Sequence, residues 1–252
     1  NDGGGSIRIP AACCGLVGLK STRGRFIDQE AAKVLPVNIV SDGVLTRSVR
    51  DTAHFFMEAE RYYRNRKLKP IGQVTGPAKR RLRVGMMIDS VTGDATCPQT
   101  RRAVQDTAQL LESLGHTVEE ARIDLPARFV EDFLLTPAML RQLRLARQRY
   151  AEAFAQYDVI LSPVLAHTTP EIGYLGADLP FDTQLERLLR YTTFTPANNA
   201  SGGPGISLPL GQTDQGLPIG VQLSAANGEE ALLLSLAFEL EDAQPFIRLD
   251  QR

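Results

Sequence analysis

The 252-residue chain has no tryptophan, only three histidines and three cysteines, and no apolar run long enough to cross a bilayer. Each shortage removes a class of protein. Cys13 and Cys14 are adjacent inside an apolar segment and Cys97 stands apart, so no disulfide framework closes. They read as small hydrophobes in a reducing, cytoplasmic setting. His54, His116 and His167 are widely separated and no C-x-x-C pair accompanies them, so neither a structural zinc site nor another metal is expected. A spanning helix needs ~18 uninterrupted apolar residues, and nothing at the N-terminus has the signal-peptide pattern. No membrane partner is expected. An excess of one charge is missing too, because 28 Lys+Arg stand against 29 Asp+Glu. The one dense basic run, Lys67 to Arg83, is interrupted by Pro70, Gly72, Gly76 and Pro77 and reads as a solvated connector, so nucleic acid is not expected either.

What is present supports a folded α/β domain. Hydrophobic residues make up 43% of the chain, enough for a core and too many for disorder. Pro10 and Gly15 suit the first turn and the end of a short helix, and Leu16 to Ser21 reads as a buried strand. Ser48 is the expected N-cap of a helix carrying Ala53, Phe56 and Met57. A strand over Leu82 to Asp89, a helix opening at Pro98 and stopping at Gly115, and a strand over His116 to Ile123 form a β-α-β unit. Helices are expected over Arg141 to Tyr157, Thr183 to Tyr191 and Gly228 to Leu240. Asp158 to Val164 reads as a strand buried on both faces, followed by strands over Gly205 to Leu210 and Ile219 to Leu223.

The chemistry is expected in the opening run Asp2-Gly3-Gly4-Gly5-Ser6. Successive amides there can form a concave nest, and the residues after Ser6 pass directly into a helix start without linker composition. Neither phosphate pattern fits, since no lysine follows the glycines and the G-x-G-x-x-G spacing is missing. A serine beside free amides at a helix N-terminus suits acyl transfer: the hydroxyl attacks a carbonyl and the amides hold the oxyanion. No G-x-S-x-G elbow is present, and no histidine lies in a helpful motif. Lys20 is a nearby amine, but its strand follows the helix, which puts it about one helix length from Ser6 and favours a structural role.

The residues Asp2 to Ala12 and Gly15 to Arg25 resemble the second half of the amidase signature. The resemblance continues through Asp42 to Asp51, Tyr157 to Pro163, Asn199 to Pro209 and Gly216 to Leu223. It implies an α/β/α sandwich around a large mixed β-sheet, a Ser-cisSer-Lys triad, and hydrolysis of a carboxamide through an acyl-enzyme, with no cofactor. Ser6 matches the nucleophile, Gly3, Gly4 and Gly5 the oxyanion hole, and Asp2 with Arg8 the charged pair that supports the loop. Phe194, Asn198 and Asn199 fall where substrate-pocket walls are expected. The implied partner is a small-molecule amide, and a homodimer is a common outcome in the family.

The family's lysine and cis-serine lie upstream of this loop, so residues 1–252 are expected to be a single signature domain that is incomplete at its N-terminus. A missing or shortened segment is expected near Met139 to Gln142. Two alternatives are a glutamine-hydrolysing A subunit of a tRNA-dependent amidotransferase and a catalytically inactive binding homologue.

Overall fold

A computed structural model of the chain describes residues 1–27, 37–91, 93, 95–135 and 139–247. Its elements, in chain order, are α1 (Arg8–Cys14), β1 (Val17–Lys20), β2 (Leu45–Thr46), α2 (Val49–Tyr62), β3 (Arg83–Met86), α3 (Pro98–Ser113), β4 (Thr117–Glu120), α4 (Phe129–Leu135), α5 (Met139–Phe154), β5 (Val159–Pro163), α6 (Phe181–Tyr191), α7 (Pro196–Ser201), β6 (Gly205–Gln212), β7 (Pro218–Ala225) and α8 (Glu230–Ala243). Local chemistry sets several ends. The Ser48 side chain accepts the Asp51 amide and caps α2, while Gly15 closes α1 at φ 67°. Met139 to Gln142, where a join was expected, is the first turn of α5; residues 136–138 lie outside the described residues.

The seven described strands form one mixed sheet in the order β2-β1-β6-β7-β5-β3-β4. The β3 strand pairs in parallel with β4 and β5, and the remaining pairs are antiparallel. Helices cover both faces, which makes the α/β/α sandwich. On one face α2, α3 and α8 bury Val49, Phe56, Val104, Leu111, Leu233 and Leu240 against the sheet. The other face carries α1, α4, α5 and α7, with Phe129, Phe133, Ala146 and Ala200 in its core.

Strand alternation gives these faces different chemistry. In β7, Ile219, Val221, Leu223 and Ala225 join the first core, while Gly220, Gln222 and Ser224 face α1 and α7. The same split runs through β1, where Val17 and Leu19 are core and Gly18 faces α1. Glycine is required at these contacts by space. A Cβ on Gly220 would lie 2.6 Å from Ala12 Cα, and one on Gly18 would lie 2.7 Å from Ala11 Cβ. Helix α1 therefore sits unusually deep on the sheet.

A buried ion cluster holds the turn after β1. Arg25 donates to Glu60 at 3.2 Å and, through Nε, to Glu230 at 3.0 Å, while Glu230 accepts the Thr22 amide at 2.8 Å. This ties the start of α8 and the end of α2 to the segment beyond Lys20. Among the described residues, no helix is long and apolar enough to cross a membrane.

Candidate active site

The opening loop is held at three points. Asp2 pairs with Ser41 through two backbone hydrogen bonds, of 2.8 and 3.0 Å. Its carboxylate accepts the amides of Gly5 at 2.8 Å, Ile7 at 3.2 Å and Arg8 at 3.4 Å. Thr195 then donates its hydroxyl to the Gly4 carbonyl at 2.6 Å. Gly5 has φ 135°, and a Cβ there would collide with the Thr195 side chain and lie 2.6 Å from Ile9 Cδ1, so only glycine fits. Ser6 is left exposed where the helical ladder begins, with the Ile9 amide donating back to the Gly5 carbonyl at 2.8 Å.

Arg8, fully buried on α1, is the hub behind this loop. Its Nε and Nη2 each donate to Asp2 at 2.9 Å, and Nη2 also reaches Asn199 Oδ1 at 2.6 Å. Its Nη1 donates to the Thr195 carbonyl and Gln222 Oε1, both at 2.9 Å, and to Asn198 Oδ1 at 3.2 Å. Burial alone would push the Asp2 carboxyl up, but the charge and hydrogen bonds of Arg8, with help from Lys20 and Asn199, hold it well below the usual carboxylate range. The pair is a buried two-pronged one whose polar atoms are satisfied, the arrangement in which desolvated charges are tolerated.

Two sequence expectations change here. Asn198 and Asn199 are buried and their side chains are spent on the Arg8 bracket: Asn198 Nδ2 donates to Ser224 Oγ at 3.0 Å and Asn199 Nδ2 to the Asp2 carbonyl at 2.8 Å. Short α7 turns both inward, so they brace the loop in place of forming a pocket wall; Phe194 just before it is buried as well. The second change concerns the nest. The Gly5 amide is engaged by Asp2, whereas the amides of Gly3, Gly4 and Ser6 make no hydrogen bond among the described residues.

Lys20 is also closer than its sequence position suggests. The chain reverses at Gly15, so β1 runs back beneath α1, and a Cβ on Gly18 would lie 3.0 Å from the Ile7 carbonyl. Lys20 is two residues further toward the opening loop. It is fully buried, with its nitrogen donating to the Ser21 carbonyl at 2.8 Å.

Thr195 and Gln222 were not singled out from the sequence as support for this loop. The signal for Gln222 was its parity with Gly220 and Ser224 inside an otherwise aliphatic strand; Gln222 also donates to Ser162 Oγ at 3.2 Å and so links β5 to Arg8. The histidines are placed elsewhere. His116 accepts the Leu82 amide at 3.1 Å and faces Glu239, His54 is exposed on α2, and His167 packs against Tyr174 and Tyr191. Among the described residues no cluster of His, Cys, Asp or Glu could hold a metal ion.

The family model described as Amidase matches residues 1–140 and 135–234. The chain belongs to the amidase family. A putative amidase, AmiC, of Mycobacterium tuberculosis (strain ATCC 25618 / H37Rv) is 44% identical over 293 residues, covering 99% of this chain and 62% of the relative. The 6-aminohexanoate-cyclic-dimer hydrolase of Pseudomonas sp. (strain NK87) is 31% identical over 317 residues, covering 98% of this chain and 63% of the relative. A solved structure of 6-aminohexanoate cyclic dimer hydrolase complexed with substrate superposes with a TM-score of 0.80 at 27% identity, over 98% of this chain and 64% of that one. An amidotransferase A subunit from Bdellovibrio bacteriovorus is more distant, at 26% identity. The chain thus spans less than two thirds of the length of these amidase relatives. Their alignments are longer than its 252 residues, so they carry segments that it lacks.

Proposed function

We propose that the protein this chain represents is an amidase that cleaves a carboxamide C–N bond through an acyl intermediate on Ser6. The observation that carries the reading is the Asp2–Arg8 bracket, which among the described residues leaves the amides of Gly3, Gly4 and Ser6 unbonded beside an exposed serine. In this reading the Ser6 hydroxyl oxygen attacks the amide carbon and its proton passes to a base. The carbonyl electron pair moves onto oxygen, where the three amides receive it. Collapse breaks the C–N bond, the amine or ammonia leaves with a proton, and water hydrolyses the acyl ester to free the carboxylate and restore Ser6.

The base is the lysine, acting through a bridging serine, that the family resemblance places upstream of Asp2. Among the described residues no side chain hydrogen-bonds the Ser6 hydroxyl. The two stretches of the family match overlap at residues 135–140, which supports a segment of the longer relatives being absent near that point of the chain. Ser6→Ala in the full-length protein is expected to abolish amide turnover while leaving the circular-dichroism spectrum and melting temperature unchanged; undiminished turnover would overturn the reading.

A further inference from the structure

We propose that Lys20 is a positioning residue for the nucleophile loop, a buried cation beneath it that adds positive potential under the loop amides. The inference rests on the amidase reading and concerns a residue that reading does not use.

Register and pleat place the side chain. Lys20 pairs directly with Gly205 of β6, and cross-strand partners share a face. A Cβ on Gly205 would lie 3.5 Å from Arg8 Cδ, so this face of the sheet is the one that carries Arg8. Gly18, two residues back in β1, lies under the Ile7 carbonyl on the same face. The Lys20 amine therefore extends beneath the loop that Arg8 and Asp2 hold.

Its bonding is poor for a structural ion. The nitrogen has one acceptor, the Ser21 carbonyl, and among the described residues no carboxylate lies within ion-pair distance. The charged groups acting on it are Arg8 and Arg23, which oppose its charge, and Asp2 and Glu230, which favour it. Desolvation dominates, and with Arg8 it lowers the amine to about 7 from 10.5. The unfolded chain then binds more protons than the folded one between those two values, so charge on Lys20 costs stability throughout that range and the cost is largest near and below pH 7. A methionine would fill the same space without that cost. The cost has a use at this position: with Asp2 negative and both Arg8 and Lys20 positive, the cluster carries a net positive charge under the amides where the oxyanion forms.

The test compares wild type with Lys20→Met in the full-length protein, using turnover of a simple carboxamide and the rate at which a fluorophosphonate phosphonylates Ser6 with loss of fluoride. At about pH 6.5, kcat and the phosphonylation rate are expected to fall about tenfold with KM within about twofold, and the deficit to shrink to about twofold near pH 8.5, where the wild-type amine is neutral. The melting temperature at pH 6.5 is expected to equal or exceed that of wild type. Equal rates at both pH values, or a loss of rate that tracks a loss of stability, would overturn the inference. If Lys20→Met does not fold, Lys20→Gln, neutral and able to keep the Ser21 hydrogen bond, carries the same comparison. Absence of both turnover and labelling in wild type would overturn the amidase reading itself, and this inference with it.

Discussion

Asp2 does three jobs at once: it bridges to Ser41, accepts three amides of its own loop, and neutralises Arg8 in a site closed to water. Asp2→Asn keeps the shape and removes the charge, leaving the guanidinium buried without its counter-ion and pointing an NH₂ at donors. It is expected to cost about 3–5 kcal/mol, read as a lower denaturant midpoint. Because the Asp2 carboxyl is held below its ordinary 3.8, its contribution is present above that value and fades only in stronger acid, so the difference from Asp2→Asn should narrow below about pH 3. In the sequence the glycine run and Ser6 stood out as amides beside a hydroxyl at a helix start, whereas Asp2 and Arg8 were marked by the resemblance to the amidase signature. Asn198 and Asn199 were legible as site residues, but their hold on Arg8 was not. Their partners lie more than 180 residues away, and no local pattern says which way a six-residue helix turns its side chains.

At the scale of elements, the depth of α1 depends on glycines in the strands beneath it. Gly220→Ala is expected to push α1 off β7 and cost about 1–3 kcal/mol, measured by chemical denaturation, with Ser6 displaced along with it. Helices with strong ends were readable in advance: Ser48 caps α2, and Pro98 and Gly115 bound α3. The apolar run of β5 was equally clear. Helix α7 was not, since six residues carry no helical period to recognise. The return of β1 beneath α1 was also hidden, because periodicity gives the span of an element and not its direction in space. That is why Lys20 was placed a helix length from the site when it runs back beneath it.

Across the whole molecule, the sheet interleaves distant parts of the chain. β1 near the start pairs with β6 near the end, and β7 joins that pair to β5. A chain ending before Gly205 would leave β2-β1 and β5-β3-β4 unconnected and would remove Gln222 and Ser224 from the Arg8 network. The full-length protein cut off there is expected to lose the cooperative thermal unfolding that the uncut protein shows by circular dichroism. The outer strands of the same sheet have a different consequence. Among the described residues the outermost strands are β2, two residues long, and β4, which shows solvent Thr117, Glu119 and Glu120. Neither of these two strands carries a long apolar row that would template a strand from another molecule, so growth of the sheet by strand addition along them is disfavoured.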